Sequence, residues 1–199
     1  MWRVSLSRYA ILINDLQYDL VNKSEERKAA VDAFIPSMIG FLGRARSLGV
    51  HVVHLQLINE LDDPRAERYD GWLPCTQGSD GARLLEDVVD PRDLIVEKNK
   101  DSGFFDTDLH ERLKERGVDT VVVTGMQTQI CVQTTAADAF FRGYNVIVPP
   151  DGVVSARPED KTRALEWLRS YCATIMGIEQ FLRAVEADEI PEFEVVSIP

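Results

Sequence analysis

Short apolar runs alternate along the chain with stretches in which apolar residues recur every three or four positions. An apolar run of about five residues is typical of a buried strand, and the three-to-four-residue repeat is typical of an amphipathic helix. The runs predict strands at residues 9–14, 50–57, 94–97, 120–124, 145–148 and 172–176. The repeats predict helices at residues 31–45, 107–116, 130–142, 158–170 and 178–185. Pro36 predicts that the first helix begins near it or is kinked there.

This alternation predicts an α/β fold, in which a mostly parallel, six-stranded sheet carries helices on both faces in three layers. Residues 58–93 interrupt the alternation with charges, glycines and prolines, and with one predicted helical turn at residues 82–88. So long an irregular stretch is usually a functional loop or cover. No repeat or linker divides the chain, so we expect a single domain over residues 1–199, with an extended acidic arm from residue 187 onward.

Composition and charge narrow the range of partners. The 199 residues include 33 acidic and 22 basic side chains, which gives a formal net charge of −11. This charge disfavours a nucleic acid or an anionic membrane as partner, because both reward clustered Lys and Arg. No apolar run reaches the ~18 residues that span a bilayer, and the N-terminus lacks the features of a signal peptide. The three cysteines have no paired spacing, which predicts free thiols in a reducing cytoplasm.

Three reactive side chains lie at or just beyond the carboxyl ends of predicted strands, where sheets of this type bind ligands. Asp15 follows the first strand, Lys98 follows the third, and Cys131 lies a few residues beyond the fourth, at a predicted helix start. Each alone has an ordinary explanation, as a helix cap, a solvated lysine or a cysteine packed in the core. Their occurrence along one edge of the sheet favours a catalytic site.

The chemistry of the three side chains is complementary. The thiolate is the reactive form of cysteine, and helix N-termini and nearby cations lower the pKa of a thiol. We therefore expect the helix start and Lys98 to lower the pKa of Cys131. Asp15 would accept the thiol proton and later return it to a leaving amine.

Other catalytic groups are poorly placed or missing in the sequence. His51 lies at the entering end of the second predicted strand, His54 in its middle, and His110 on a helix. A Cys–His pair is therefore disfavoured, and no HExxH or CxxC motif provides metal ligands. The segment before Cys131 lacks the glycine pattern of a dinucleotide site and of a P-loop, and no GxSxG occurs. We expect neither a metal nor a cofactor.

Three segments together carry a family pattern: Asn14-Asp15-Leu16-Gln17, Glu97-Lys98 with Ser102-Gly103-Phe104-Phe105-Asp106-Thr107, and Thr124-Gly125-Met126-Gln127-Thr128-Gln129-Ile130-Cys131-Val132. They resemble the isochorismatase-like cysteine hydrolases. This superfamily includes nicotinamidases, carbamoylsarcosine and ureidoacrylate amidohydrolases, and biuret hydrolases. The resemblance extends from about Tyr9 to Met176, and the Gly-x-x-Thr-x-x-Cys segment after a strand is its most specific part.

The resemblance implies a parallel sheet in the order 3-2-1-4-5-6 and a catalytic triad of Asp15, Lys98 and Cys131. It also implies a non-proline cis peptide between Met126 and Gln127. The backbone N–H groups of Gln127 and Cys131 would then stabilise a developing oxyanion. Relatives with these motifs commonly self-associate, so the resemblance implies a homo-oligomer, either a dimer or a tetramer, that acts on a small molecule.

The chain departs from the nicotinamidases in two places. Their Asp-x-His metal site after the second strand is replaced by Leu57-Ile58-Asn59-Glu60-Leu61, and the aromatic residue five positions after the first Asp is Leu20. Both differences count against a nicotinamidase. Isochorismatases of the phenazine and siderophore type often lack the cysteine, so the presence of Cys131 favours acyl transfer over vinyl-ether hydrolysis.

Four further residues are candidates for binding the substrate. Phe104 and Phe105 follow Lys98 closely, Trp72 lies in the long loop, and Gln17 would point to the same side of the chain as Asp15. Each has an ordinary alternative. The aromatic residues would equally suit the core, and Gln17 would equally suit a hydrogen bond to loop backbone.

The interpretation that the sequence favours is a hydrolase of a small amide, ureido or carbamoyl compound. It would act through a thioester and release ammonia or an amine. A vinyl-ether hydrolase would instead need acid catalysis by Asp15 and no thioester. A non-catalytic binding protein on the same fold is a third interpretation, which the complete triad disfavours. The substrate stays open, because specificity comes from loops whose geometry the sequence does not give.

Overall fold

A parallel sheet forms the middle layer of the protein. The computed structural model describes residues 8–69, 71, 73–189, 191 and 193. Five strands of the sheet lie in the order β3-β2-β1-β4-β5, and a short sixth strand, β6, pairs with β4. The strands are β1 (Tyr9–Asn14), β2 (His51–Leu57), β3 (Leu94–Lys98), β4 (Thr120–Met126), β5 (Asn145–Ile147) and β6 (Val153–Val154). The predicted fold class, an α/β protein with a parallel six-stranded sheet, is confirmed.

The sixth strand differs from the one that the sequence predicts. Residues 172–176 do not form a strand, and their pairing with the sheet is a single bridge between Thr174 and Ile147 of β5. This bridge lies on the far side of β5, where the predicted order places strand six. The strand missed by the prediction is β6, whose two valines pair with Gly125 and Met126 at the end of β4.

Helices cover both faces of the sheet. They are α1 (Tyr18–Val21), α2 (Glu25–Ser47), α3 (Leu109–Glu115), α4 (Gln133–Phe141), α5 (Pro158–Tyr171) and α6 (Ile178–Glu186). Because side chains of a strand point alternately to opposite faces, β1 serves two cores. Ile11 and Ile13 pack with α2 and α6, whereas Ala10 and Leu12 pack with α3, α4 and α5.

Helix α2 is longer than predicted and contains Pro36 in its interior. It begins eleven residues before the proline, at Glu25, where the Ser24 side chain accepts a hydrogen bond from the Arg27 backbone N–H at 3.2 Å. The prediction that the helix begins near Pro36 is therefore wrong. The capping serine and the apolar residues on both sides of Pro36 outweigh the one backbone hydrogen bond that a proline removes.

The long connection between β2 and β3 contains three short 3₁₀ turns, at Pro64–Tyr69, Asp80–Ala82 and Glu86–Val88. A hydrogen bond ties its first residue to the sheet, where Ile58 N donates to the carbonyl oxygen of Lys98 in β3 at 2.8 Å. The predicted C-terminal arm lies mostly outside the described residues. Within them, no helix is long and apolar enough to cross a membrane.

Candidate active site

The structure brings the ends of three strands together at one edge of the sheet. Asp15 directly follows β1, Lys98 is the last residue of β3, and Cys131 lies in a π-helical turn, Thr128–Val132, between β4 and α4. In a parallel sheet, residues that follow different strands meet beyond the same edge. The predicted placement of the triad follows from this topology.

Asp15 adopts a left-handed backbone conformation, with φ of 56°. Such a conformation is uncommon outside glycine, although Asp tolerates it better than most residues. Two hydrogen bonds hold the turn: Asp15 N donates to Leu55 O at 3.1 Å, and Asp15 O accepts from Gln17 N at 2.8 Å. The surrounding backbone therefore fixes the carboxylate at the end of β1.

A buried ion pair joins Asp15 and Lys98. The Lys98 ammonium lies 2.9 Å from Asp15 Oδ1 and 3.0 Å from Oδ2, and both side chains are almost completely buried. The ammonium also donates to the backbone carbonyls of Lys100 and Asp101, at 3.1 and 3.2 Å. Hydrogen-bond geometry with the ammonium is met at Oδ2 and not at the buried Oδ1, and the Asp15 carboxylate also interacts with the Cys131 thiol as a side-chain hydrogen-bond partner. One carboxylate oxygen thus remains available to accept a proton.

Cys131 lies beside this ion pair and is 8% exposed. Its sulfur is 3.8 Å from Oδ1 of Asp101, a second carboxylate that the sequence analysis missed. Asp101 is itself exposed. The thiol is therefore almost buried and has an exposed carboxylate next to it.

The electrostatics of the site favour a neutral thiol when no substrate is bound. Burial and the Asp15 carboxylate raise the pKa of Cys131 well above its ordinary value, and the opposing effect of Lys98 does not offset them. The prediction of a lowered thiol pKa is therefore wrong, because the depth of burial outweighs the neighbouring cation. Burial also raises the pKa of Asp15, against the attraction of Lys98. Burial alone would lower the pKa of Lys98, but Asp15 reverses this and the pKa is raised.

A buried chain of hydrogen bonds connects the three segments that carry the triad. Thr135 of α4 donates through Oγ1 to Asn14 Oδ1 at 3.0 Å, and the same hydroxyl accepts from Gly103 N at 3.0 Å. Asn14 precedes Asp15, Gly103 follows the Lys98 segment, and Thr135 follows Cys131 by one helical turn. One threonine therefore fixes the relative positions of all three catalytic candidates.

Gly125 is required where β4 passes the end of β1. Its φ is 95°, and a Cβ at this position would overlap the Asn14 carbonyl oxygen and lie 2.6 Å from Asn14 N. Only glycine combines this backbone conformation with so close an approach. The end of β4 is thereby packed directly against Asn14, the residue that precedes Asp15.

The segment between β4 and the π-helical turn contains a cis peptide bond between Met126 and Gln127. The Gln127 side chain turns toward the residues that follow β6, where its Oε1 accepts from Ala156 N at 3.2 Å. Ser155 Oγ accepts from Thr128 N at 3.3 Å. These contacts fix the backbone that leads into Cys131, which is where the sequence analysis expects the oxyanion-stabilising N–H groups.

The four residues predicted to bind substrate have different surroundings. The Gln17 amide is buried and bonds backbone, since its nitrogen donates to Leu57 O and Ala82 O and its oxygen accepts from Leu57 N. Phe104 is 2% exposed and packs in the core against Tyr144, so a substrate contact is not its role here. Phe105 is exposed. Trp72 lies outside the described residues.

The surroundings of two histidines and of Asn59 bear on two alternatives, a Cys–His catalytic pair and a metal site. His54 Nε2 lies 2.9 Å from Asp93 Oδ2, and His110 Nδ1 lies 3.0 Å from the Tyr144 hydroxyl. At the position where nicotinamidases carry metal ligands, Asn59 Oδ1 accepts from the Arg65 guanidinium at 2.9 Å. A guanidinium there does not suit a metal ion, and the described part of the chain contains no group of three His, Cys, Asp or Glu side chains that could hold one.

A separate cavity of about 230 Å³ lies at the opposite edge of the sheet, between the entering ends of β2 and β3. Its lining includes Arg46, His51, Arg92 and Arg116, and it contains none of the triad residues. Arg46 and Arg92 are already paired with Asp93 and Asp90. The catalytic candidates therefore lie away from this cavity.

Comparison with known proteins identifies the family of the chain. The family model described as the isochorismatase domain matches residues 9–180. A streptothricin hydrolase from Streptomyces noursei is 34% identical over 145 residues, which cover 71% of this chain and 52% of that protein. The ureidoacrylate amidohydrolase RutB from Methylorubrum extorquens is 34% identical over 106 residues, which cover 51% of this chain and 43% of that protein. The chain thus spans about half the length of the curated relatives it matches.

A solved structure shows the same fold over most of the chain. The isochorismatase-like hydrolase from Alkaliphilus metalliredigens superimposes with a TM-score of 0.77 at 31% identity, and the match covers 89% of this chain and 99% of that one. The family match includes the ends of β1 and β3 and the turn after β4, so it contains all three triad residues. The resemblance found in the sequence is confirmed, and the chain belongs to the isochorismatase family of hydrolases.

Proposed function

We propose that the protein is a cysteine-dependent amidohydrolase of a small amide, ureido or carbamoyl compound. The observation that carries the proposal is the buried Lys98–Asp15 ion pair, 2.9 Å across, placed beside the thiol of Cys131. The names of the streptothricin hydrolase and of the ureidoacrylate amidohydrolase support hydrolysis of small amide-type compounds as the reaction. Cys131, Asp15 and Lys98 are the proposed catalytic residues.

Acylation begins from a neutral thiol. As the sulfur attacks the substrate carbonyl carbon, the thiol proton moves to Asp15, whose raised pKa makes it the better acceptor. The new carbon–sulfur bond converts the carbonyl oxygen into an oxyanion. We assign its stabilisation to the backbone N–H groups of Gln127 and Cys131, each worth roughly 3 kcal/mol in comparable sites. When the carbon–nitrogen bond breaks, Asp15 gives its proton to the leaving nitrogen, and ammonia or an amine departs.

Deacylation reverses the direction of proton transfer. Water attacks the thioester carbonyl while Asp15 accepts a proton from it, and the carboxylic or carbamic acid is released as the carbon–sulfur bond breaks. The proton on Asp15 then returns to the sulfur. Lys98 keeps its charge throughout, because it serves to hold Asp15 and to balance the negative charge in a site that excludes water.

The test is a screen of small amides, ureas and carbamoyl compounds for release of ammonia or amine, followed by acid quench and mass spectrometry of the peptide that contains Cys131. A covalent adduct with the mass of the acyl group is expected on Cys131. Cys172→Ala is a matched control, because Cys172 is also buried and free but lies in the core behind β5. Hydrolysis without an adduct, and with full activity in Cys131→Ala, would exclude the thioester mechanism.

We also propose that the protein self-associates and acts in the cytoplasm. Support for self-association comes from an aromatic surface cluster on α4 and α5, formed by Phe140, Phe141, Trp167 and Tyr171. Support for a reducing setting comes from the three free cysteines. Light scattering at micromolar concentration should give a mass above that of the monomer, and a monomeric mass would contradict the first proposal.

A further inference from the structure

The Asp101 carboxylate lies next to the proposed nucleophile, Cys131. Its Oδ1 is 3.8 Å from Cys131 Sγ, yet the residue is exposed, whereas Cys131 is nearly buried. The carboxylate therefore faces solvent beside the sulfur, on the side from which we expect a substrate to approach. A group in this place contacts whatever is attached to the reacting carbonyl.

The backbone on both sides of Asp101 is fixed. The Asp101 carbonyl accepts from the Lys98 ammonium at 3.2 Å, and the next residue, Ser102, donates through Oγ to Asp138 Oδ2 at 2.7 Å. One residue further, Gly103 N donates to Thr135 Oγ1 at 3.0 Å. Because these anchors belong to the catalytic assembly, the position of the Asp101 side chain is tied to that of the nucleophile.

The Asp101 carboxylate forms no salt bridge in the part of the chain that the structure describes, although the Lys98 ammonium attracts it from a distance. The ammonium of Lys98 bonds to the Asp101 backbone and forms its ion pair with Asp15 instead. Lys100, the preceding residue, directs its ammonium to the backbone carbonyl of Asn99 at 3.2 Å. An exposed carboxylate at the mouth of a catalytic site is thus left to interact with the substrate.

We propose that Asp101 makes the site selective for substrates that carry a cationic group, a protonated amine or a guanidinium, close to the scissile carbonyl. This rests on the proposed function. A carbonyl carbon poised for attack lies roughly 3–3.5 Å from the sulfur. Substituents on that carbon then lie within hydrogen-bonding reach of Oδ1. A cation there gains a charge-assisted hydrogen bond, and an anion is repelled.

The wider electrostatics act in the same direction. The formal net charge of −11 attracts cations and repels anions at long range. Burial, Asp15 and, to a lesser extent, Asp101 raise the pKa of Cys131. A cation bound at Asp101 would offset part of that effect, so the selected substrate would also assist formation of the thiolate.

The first experiment uses the full chain and needs no substrate. Two methanethiosulfonate reagents of similar size, one with an ammonium group and one with a sulfonate group, are reacted with the protein, and modification of the Cys131 peptide is followed by mass spectrometry. The ratio of the two rates is the readout, since a change in thiol pKa alone affects both reagents alike. We expect Asp101→Asn to lower the ammonium-to-sulfonate ratio about tenfold, an order of magnitude consistent with a nearby partly screened charge. Asp101→Lys should reverse the preference.

Glu97→Gln provides a matched control. Glu97 precedes Lys98 on β3 and is exposed, whereas its neighbours Val96 and Lys98 are buried, so it lies on the opposite face of the strand. Its neutralisation should leave the ratio unchanged. If Asp101→Asn also leaves the ratio unchanged while its unfolding midpoint matches wild type, the inference is overturned.

The second experiment separates this inference from the proposed function. For amides that differ only in a protonated amine or a neutral isostere near the carbonyl, kcat/KM should favour the cation in wild type and lose that preference in Asp101→Asn. If Cys131-dependent hydrolysis occurs but shows no such preference, the selectivity is refuted and the amidohydrolase proposal stands. If Cys131 forms no adduct with any amide, the proposed function fails, whereas the reagent ratio still decides the role of Asp101 near the thiol.

Discussion

Replacing Lys98 by methionine tests the catalytic centre most directly, because it removes one charge from a pair that is almost fully buried. The two side chains are 0% and 1% exposed, and their charged atoms are 2.9 Å apart. Breaking a buried pair by removing one partner typically costs ~3–5 kcal/mol, since the other charge is left without compensation. We expect the free energy of unfolding of Lys98→Met at pH 7 to fall by about that amount.

The pH dependence of this loss has a definite sign. The pKa of Asp15 is raised in the folded protein and must rise further without Lys98. A raised folded pKa stabilises the protein below the unfolded value, and this contribution is lost as the pH rises through the folded pKa. The deficit of Lys98→Met relative to wild type should therefore shrink as the pH is lowered, because the uncompensated Asp15 carboxylate then takes up a proton. Urea unfolding at pH 7 and pH 5 measures it.

The effect on catalysis should be comparable in free energy to the effect on the fold. Lys98 is the cation that opposes the rise in the pKa of Cys131. Unit charges ~4 Å apart at an effective dielectric constant near 20 interact by ~4 kcal/mol, which corresponds to a rate loss of about 10³-fold. The assay is the pH dependence of Cys131 alkylation by iodoacetamide, together with kcat/KM. Lys98→Arg should rescue little, because a planar guanidinium does not replace a compact ammonium in a closed site.

Two controls make the result specific. Lys28 and Asp32 form an exposed Lys–Asp pair, so Lys28→Met should leave the free energy of unfolding close to that of wild type. The double variant Asp15→Asn/Lys98→Met removes both buried charges, so it should regain much of the lost stability and none of the activity. Alkylation curves of Lys98→Met that superimpose on wild type, with unchanged unfolding, would refute the role of Lys98 and the account of its ion pair.

Three further predictions follow from the site. Cys131→Ala should abolish turnover while the protein stays folded, whereas the activity of Cys172→Ala should stay within a few-fold of wild type. If Cys131→Ala retains a tenth or more of wild-type activity, Cys131 is not the nucleophile. Dialysis against a strong chelator should leave the rate unchanged, and a loss restored by zinc, iron or manganese would show a missed metal site. Gly125→Ala should lower the free energy of unfolding by ~3 kcal/mol or more, because the added Cβ would overlap the Asn14 backbone. Gly143 has a φ of 83° but open space around it, so Gly143→Ala should lower the free energy of unfolding by only ~1–2 kcal/mol.

The sequence predicts the strand ends well because each depends on local pattern. Asp15 and Lys98 terminate apolar runs, and the parallel topology then places such residues at one edge of the sheet. Very short strands are not predicted in this way, because the two residues of β6 are too few to form a recognisable apolar run. The segment at Cys172 has a strand-like pattern but forms only the Thr174 bridge in the described chain.

Contacts that depend on loop geometry were not predictable. Asp101 lies three residues after Lys98, in an irregular turn where sequence spacing does not give the direction of a side chain. Thr135 reads in the sequence as one more polar helix residue, yet its hydroxyl joins Asn14 and Gly103. The prediction that the pKa of Cys131 is lowered was wrong for a related reason. The sequence identifies the neighbouring charges, but it does not give the depth of burial that outweighs them.

The arrangement of charges explains how one site keeps its thiol neutral and still activates it. A resting thiolate beside Asp15 would place two negative charges in a buried pocket with one lysine, so a single proton is held between carboxylate and sulfur. In the proposed mechanism, that proton leaves the sulfur only when attack on a carbonyl places negative charge on the oxyanion, which the backbone N–H groups of Gln127 and Cys131 would stabilise. Activation is thereby coupled to the presence of a correctly placed substrate. A neutral resting thiol should also react slowly with small electrophiles that lack a cationic group, which links the chemistry of Cys131 to the selectivity proposed for Asp101.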